Sequence, residues 1–399
     1  MPPLHFVAVD LKGDPTGRGS IIEYDAGIVT IPLSDRRTGS ITVRMENPAS
    51  EYFGCGTMAL KAVYGDALIM HAIVTKPVDD FAAGTVTANA LDPTVRLEHR
   101  AFRYGHSSVV ASTAPNPGIP LDGTGFRMPI TDAAGGGTIP HTHITAGTDT
   151  VPAQPAPGSG GLYVQVSRGQ TMWDAVNQMT QAASGFDVDW APIDADHPGA
   201  GWVAGDMVEA RTVPVQGTDR RTTNILGNKP VTFVHGIECS IVSEPDAEHT
   251  VNYAVKVIPG GQSGSTDTGS KAGAYNRASW VAIGIWEQWE SVGDNLDPAV
   301  RQAVLKDRAL AQVQAYGTPP AYVTVTLAPT NPLRFPADVN VGDLVGVYAR
   351  RGFRTFAADV RITQVTITGA GTADAQVQFL CVPFADTLAT IIFDDTPGD

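Results

Sequence analysis

The feature that most restricts this chain is a two-residue alternation of apolar and polar side chains that recurs from one end to the other. In "GIVTIPL" (27–33), Val29, Ile31 and Leu33 share one side. In "ITVRM" (41–45), Ile41, Val43 and Met45 do the same, with Thr42 and Arg44 opposite. "YVTVTL" (322–327) alternates through Val323, Val325 and Leu327, and "AQVQFLCV" (375–382) through Val377, Phe379 and Cys381. A period of two marks antiparallel strands with one buried face. "DALIMHAIV" (66–74) is more continuously apolar and fits a strand buried on both faces. A turn in "PVDDFAAG" (77–84) and the strand "TVTANAL" (85–91) follow it. The 42 glycines and 29 prolines favour turns and short strands over helices. At 399 residues the chain exceeds the roughly 250–300 that one core sustains, so two or more domains are expected.

Two segments break the pattern as helices. In "TMWDAVNQMTQAASG" (171–185), Met172, Val176, Met179 and Ala183 form a stripe, and Asp174, Asn177, Gln178 and Gln181 face away. Thr171 with Asp174 resembles a capping pair, and Gly185 suits the stop. The strand "GFDVDWAPI" follows, making a small α/β unit. In "LDPAVRQAVLKDRALAQVQAYG" (296–317), Asp297 suits the N-cap, Pro298 the first turn and Gly317 the end. Its apolar face of Val300, Ala303, Val304, Leu310 and Ala311 is interrupted by Asp307, and Leu305, Val313 and Tyr316 lie on another face. Before it, "VTFVHGIECSIV" (231–242) and "TVNYAVKVI" (250–258) read as strands, the latter alternating through Val251, Tyr253, Val255 and Val257. A Gly/Ser-rich loop spans 259–270. Residues 105–160 lack periodicity and are dense in Gly, Pro, Ser and Thr, which reads as an extended insertion whose few Val, Ile and Phe residues anchor it, as an arm, to a neighbouring subunit or partner.

The formal charge of −14 disfavours binding to phosphate backbones or to an anionic membrane. Cys55, Cys239 and Cys381 are odd in number and widely spaced, so they read as buried apolar residues made in a reducing cytosol. "MPPLHFVAVDLKGD" lacks the pattern of a signal peptide, and "WVAIGIW" (280–286) is too short to span a bilayer.

Reactive constellations are few. His141 and His143 lie on one side of an extended segment and are candidate metal ligands, but no third ligand stands nearby, and they read as solvated loop histidines. Asp187/Asp189 and Asp194/Asp196 are paired carboxylates. Glycosidase chemistry needs carboxyls converging across a cleft, so turn-forming or solvated Asp is the better reading. Trp280, Trp286 and Trp289 would stack on sugar rings if exposed, and otherwise pack in a core or subunit interface. No GxSxG elbow occurs, and "AAGGGT" and "GGLYVQ" lack the Lys-Ser/Thr of a P-loop. Catalytic, cofactor-binding and metal residues are therefore assigned to none.

The stretch "RFPADVNVGDLVGVYARRGFRTFAADVRITQVTI" (334–367) reads as a strand ending at Asp338, a tight Gly342-Asp343 step, an apolar strand, a basic turn and a returning strand opened by Arg361-Ile362. It echoes "YGDALIMHAIVTKPVDDFAAGTVTANAL" in the first half, which has the same order of elements. Together with Trp173-Asp174-Ala175, Gly185-Phe186, "TVNYAVKV" and the second helix, in that order, it resembles the tail-hub (baseplate-hub) and minor tail proteins of long-tailed phages, in particular those infecting actinobacteria. The resemblance covers most of the chain except 105–160.

That resemblance implies a mainly β protein with smaller α/β parts: a first hub β-barrel over 1–104, the insertion at 105–160, a small α/β unit over 161–230, strands and a helix over 231–318, and a second hub barrel over 319–399. It also implies a non-enzymatic virion protein at the tail tip. Such a protein forms a homotrimer that joins the tail tube and tape-measure protein to receptor-binding or other minor tail proteins and lines the DNA exit channel. The alternatives are a carbohydrate-binding tail adhesin using the tryptophans, and a metal-dependent hydrolase using His141 and His143.

Overall fold

The computed structural model describes the chain outside residues 12–18, 22, 101–118, 123, 125, 128–130, 133–136, 139–142, 155–162, 165–169, 181–185, 201, 223–225, 246–249, 259–269, 292–297, 317–320, 384–390 and 395–399. The first half opens with β1 (Leu4–Asp10), β2 (Gly19–Ile21), β3 (Ala26–Pro32), β4 (Thr38–Arg44), β5 (Met58–Tyr64), β6 (Ala67–Asp80), β7 (Thr85–Leu91) and the short helix α1 (Val95–Glu98). Then come β8 (Ile119–Pro120), β9 (Thr131–Asp132), β10 (Gly137–Thr138), β11 (Ile144–Asp149), β12 (Tyr163–Val164), α2 (Met172–Thr180), β13 (Asp187–Pro192) and β14 (Val208–Val213). The second half holds β15 (Thr232–Val234), β16 (Cys239–Pro245), β17 (Tyr253–Ile258), β18 (Ser270–Asn276), α3 (Arg277–Ile283), β19 (Glu287–Ser291) and α4 (Pro298–Tyr316). It ends with β20 (Ala321–Leu327), β21 (Leu344–Arg351), β22 (Arg354–Gly369), β23 (Gln376–Pro383) and β24 (Ile391–Asp394).

Thirteen strands form one sheet along the path β16-β20-β23-β22-β3-β4-β7-β6-β5-β1-β2, with β21 on β22 and β15 parallel to β21. The strands expected for the two barrels lie together in this one sheet. The halves are joined edge to edge where β22 pairs with β3 (Val365↔Ile31, Ile367↔Val29). Val29, Ile41 and Leu60 of one half share a single core with Val325, Ile367 and Phe379 of the other, and the path runs open from β16 to β2. Alternation explains the packing: Val323, Val325, Leu327, Val377, Phe379 and Cys381 are all buried. Residues 69–74 are buried on both faces, as their continuous apolar run requires.

Strand β22 does two jobs. Up to Arg361 it pairs with β21, and from Gln364 the pairing passes to β3, across an irregularity between Ile362 and Gln364. A bulge of this kind bends a strand and redirects its pairing. Arg361-Ile362 is therefore the hand-over point inside a 16-residue strand, not its start. Residues 334–341 are turns rather than the end of a strand. Strand β6 likewise runs on through Asp80, leaving the turn at 81–84.

A second core lies against the outer face of β1, β5 and β6. It joins Val9, Ala59 and Ile73 to Trp173, Val176 and Met179 of α2, to Val188 and Trp190 of β13, and to Val208 and Ala210 of β14. Strand β14 pairs antiparallel with β13 and parallel with β11. The Thr171 hydroxyl accepts from the Asp174 amide at 3.0 Å, so the helix begins with the expected cap. Ala183 and Gly185 lie outside the described residues. Within 105–160, Ile119, Leu121, Phe126 and Ile144 are buried in this same core. These four apolar residues of the insertion are thus used inside the chain.

The third layer is a four-stranded sheet, β19-β17-β18-β24, covered by α4. Ala254 and Ala274 pack on Ala309 and Val313, while Ile258 and Ala272 pack on Val304 and Leu305. Strand β17 corrects its sequence reading: it turns the parity of Ala254 and Ile258 toward the helix, not that of Tyr253 and Val257. Helix α4 buries residues of both faces read from the sequence, Leu305 and Val313 of one and Val304 of the other, together with Ala309, while Leu310 is only partly buried. The small alanines let helix and sheet approach, which hydrophobicity alone does not signal. Asp297, Gly317 and most of the Gly/Ser loop lie outside the described residues.

Candidate functional surfaces and the junction between cores

The paired carboxylates sit at the junction between the main sheet and the α/β unit. Along β13, Val188 and Trp190 enter the second core, so Asp187 and Asp189 face the other way. Asp187 accepts from the Ser34 hydroxyl (3.0 Å), the Gln216 amide (2.7 Å) and the Arg361 guanidinium. Asp189 pairs with Arg37 at 3.3 Å and Arg211 at 3.9 Å. Asp194 accepts from Lys61 Nζ at 2.7 Å and from the His197 ring at 2.9 Å. Burial works to raise the Asp194 pKa, but the hydrogen bonds from Lys61 and His197 outweigh it and hold the carboxyl at about 2. Asp196 is exposed. Asp187, Asp189 and Asp194 are thus each matched to a cation from another element, as structural clamps are.

A cavity of about 370 Å³ lies at this junction, lined by Asp35, Arg37, Asp189, Arg211, Phe335 and Val341 among others. Its main charged groups, Arg37, Arg211 and Asp189, already pair with one another. Beside it His71 is buried, its Nδ1 donating to the Ile193 carbonyl at 2.8 Å. Burial and the nearby Lys61 charge push this imidazole down to about 4, against the pull of the Ile193 bond and Asp194.

The Gly342-Asp343 step is a second tie between the same parts. Gly342 has φ +90°, and a Cβ there would lie 2.4 Å from the Gln216 carbonyl oxygen. The Asp343 carboxylate is buried and accepts from the Thr218 amide (2.6 Å), Arg220 Nε (2.8 Å) and the Asn340 amide (2.9 Å). "VGD" is therefore the point where β21 starts because the 216–220 loop is clamped across it.

His143 Nδ1 bonds the Gly205 carbonyl oxygen at 2.6 Å, and His141 lies outside the described residues. Among the described residues no group of three His, Cys, Asp or Glu is placed to hold a metal. Cys239 and Cys381 are buried, whereas Cys55 is exposed in the turn before β5, correcting the reading of three buried thiols. No described helix is long and apolar enough to cross a membrane.

Trp280 packs between Tyr253 and Tyr275, stacked on the first (6.3 Å) and edge-on to the second (5.4 Å). Trp286 and Trp289 are 42% and 57% exposed on the rim of the four-stranded sheet, beside Val281 and Ile285. Two more exposed aromatics went unmarked in the sequence: Phe81 at the tip of the β6–β7 hairpin and Phe353 at the tip of β21–β22. The signal was present, since each Phe stands in a turn next to charged residues, "DDF" and "RRGF".

No family profile and no curated protein sequence matches the chain. Solved structures do. A tail protein from Neisseria meningitidis is 10% identical and covers 97% of this chain and 98% of its own, with a TM-score of 0.55. The 43 kDa tail protein of prophage MuSo2 from Shewanella oneidensis is 10% identical and covers 96% of each chain, with a TM-score of 0.56. A prophage tail protein from Listeria monocytogenes is 10% identical and covers 97% and 96%, with a TM-score of 0.52. The chain has the fold of these phage tail proteins over nearly its whole length. None of the three sources is an actinobacterium, and they do not bear on the host expected from the motifs.

Proposed function

We propose that this chain is a structural protein of a phage tail, acting without catalysis as a homotrimeric hub at the distal end. In that place it joins the tail tube and tape-measure protein to tip or receptor-binding proteins and borders the path of the exiting DNA. The observation that supports this best is the end-to-end fold correspondence with tail proteins. The tying of Asp187, Asp189 and Asp194 into ion pairs favours a load-carrying scaffold over an active site. The echo between the β6–β7 and β21–β22 hairpins supports a finer version, in which each chain carries two related tube-facing parts, near 1–104 and 319–399. Three chains then offer six positions around a threefold axis, and closed symmetry leaves no growing end. The acidic balance would keep DNA phosphates from adhering to the wall. Electron microscopy of an intact tail tip tests this: three copies in a terminal ring are expected, and six copies, or a place away from the tip, would overturn it.

A second reading, a carbohydrate-binding tail adhesin, draws on the exposure of Trp286 and Trp289. Glycan binding that disappears in a Trp286→Ala/Trp289→Ala variant would favour it over the purely structural role.

A further inference from the structure

The two hairpins that carry the exposed phenylalanines have opposite charge. The tip of β6–β7 presents Asp79, Asp80 and Phe81, all exposed, with Phe81 at 82%. One Asp80 oxygen accepts from the Ala82 and Ala83 amides and shapes the turn. The tip of β21–β22 presents Arg350, Arg351, Phe353 and Arg354, all exposed, and Phe353 stands fully in solvent. Arg351 faces Arg354 across a two-residue turn, so the repulsion of like charges is built into this tip. None of the three arginines has a carboxylate partner among the described residues, whereas Arg36, Arg37, Arg220 and Arg361, all largely buried, each pair with one. Exposed aromatic and arginine side chains are the types enriched where protein surfaces meet.

The tips cannot meet within one chain. Through the register Gly369↔Gly27, Gly27↔Ile41 and Ile41↔Ala88, the β6–β7 turn lies beyond the Gly369 end of β22. The β21–β22 turn lies beyond the opposite end of the same strand. An acidic knob at one end of a sheet and a basic knob at the other is the arrangement of a head-to-tail contact, in which different surfaces of identical copies meet.

We propose that the acidic, Phe81-bearing tip of one copy docks against the basic, Phe353-bearing tip of the next copy of this chain. Complementary charge steers the approach, and the two rings supply the apolar contact. Single exposed pairs are weak, so the contact is salt-sensitive and gains strength when several close a ring. The inference takes its ring from the hub reading and its contacts from the tips alone. A trimer held by other surfaces would leave that reading standing and remove this one.

The test places one cysteine beside each ring, Ala82→Cys with Thr355→Cys, both exposed, in a Cys55→Ser background, and joins copies with a short bismaleimide at low salt. A ladder of covalent multimers is expected. Reversing one tip (Asp79→Arg/Asp80→Arg, or Arg350→Asp/Arg351→Asp) should lower its yield about tenfold or more, as should high salt. The chain with both tips reversed should recover it. All variants alter exposed residues, and circular dichroism should show that the fold survives, including the loss of the Asp80 bonds to the Ala82 and Ala83 amides. A ladder that forms equally in the single-tip reversals, fails to return in the double reversal, or never forms would overturn the proposal. So would duplex DNA binding that is lost on Arg350→Asp/Arg351→Asp while crosslinking is unchanged, which would assign the basic tip to nucleic acid.

Discussion

Arg361 and Asp187 stand 174 positions apart in sequence and form a direct ion pair. The pair binds the hand-over point of β22 to the first residue of β13, so the bend in the main sheet and the α/β unit are set against each other. Asp187 also holds Ser34 and the Gln216 amide. Asp187→Ala should therefore cost about 3–5 kcal/mol, because it strands a half-buried guanidinium and two donors. Chemical denaturation measures it, and a loss below about 1 kcal/mol would mean the junction is held elsewhere.

The close backbone approach at Gly217 and Gly342 predicts a steep contrast. Both have positive φ, and a Cβ on Gly217 would lie 2.1 Å from the Gly342 carbonyl carbon. Gly352 also has positive φ, at +59°, but opens into solvent. Gly352→Ala should cost about 1–2 kcal/mol from backbone strain alone. Gly342→Ala should cost clearly more or prevent folding. Equal melting temperatures for the two would refute the clamp.

His71 makes the junction sensitive to acid. Its folded pKa near 4 lies below the unfolded value of 6.5. Between those values the unfolded chain takes up a proton that the folded chain refuses, so stability falls as pH drops from 6.5 to 4. The loss is on the order of 3 kcal/mol. Asp92 opposes it: burial raises its pKa to about 6, from 3.8, so the folded form gains a proton first as pH falls through that range. The measurement is the difference between wild type and His71→Gln. The variant should be less stable at pH 7.5 and gain on the wild type toward pH 4. A constant difference across that range would exclude His71 as the source.

The buried face of α4 gives a third contrast. Leu305 is fully buried between α4 and β17–β18, and Leu310 is half-exposed. Leu305→Ala should cost about 2–5 kcal/mol and Leu310→Ala much less. Thermal melts that reverse this order would place Leu310 on the buried face instead.

The insertion should prove partly structural. Phe126 packs edge-on to Phe186 at 5.8 Å and against Trp190 at 5.9 Å. Phe126→Ala should cost about 3–5 kcal/mol, and deleting 112–158 should expose the second core. Limited proteolysis reads this out: a deletion as resistant as the full chain would return the segment to the status of an external arm.

The strands were legible because their information is local. Alternation at Val323-Val325-Leu327 or Ile41-Val43 states which side chains go inward, whatever the partner strand. The Thr171 cap, the doubly buried run at 69–74 and the order of motifs that resembles tail hubs were readable for the same reason. What the sequence could not state were relations between distant residues. Arg361 looked like the start of a strand because only pairing tells that β22 changes neighbours there, from β21 to β3. Asp187 and Asp189 looked like turn residues or an acid pair, because Arg361 and Arg211 reach them from other strands and Arg37 from the β3–β4 loop. The helix-facing side of β17 and the place of Ala309 on α4 were missed because Ala254, Ala274 and Ala309 carry little hydrophobic signal, yet their small size allows the closest packing. The single core shared by the two halves was decided by the β22–β3 edge. Backbone hydrogen bonds made that join, and they leave no trace in side-chain pattern.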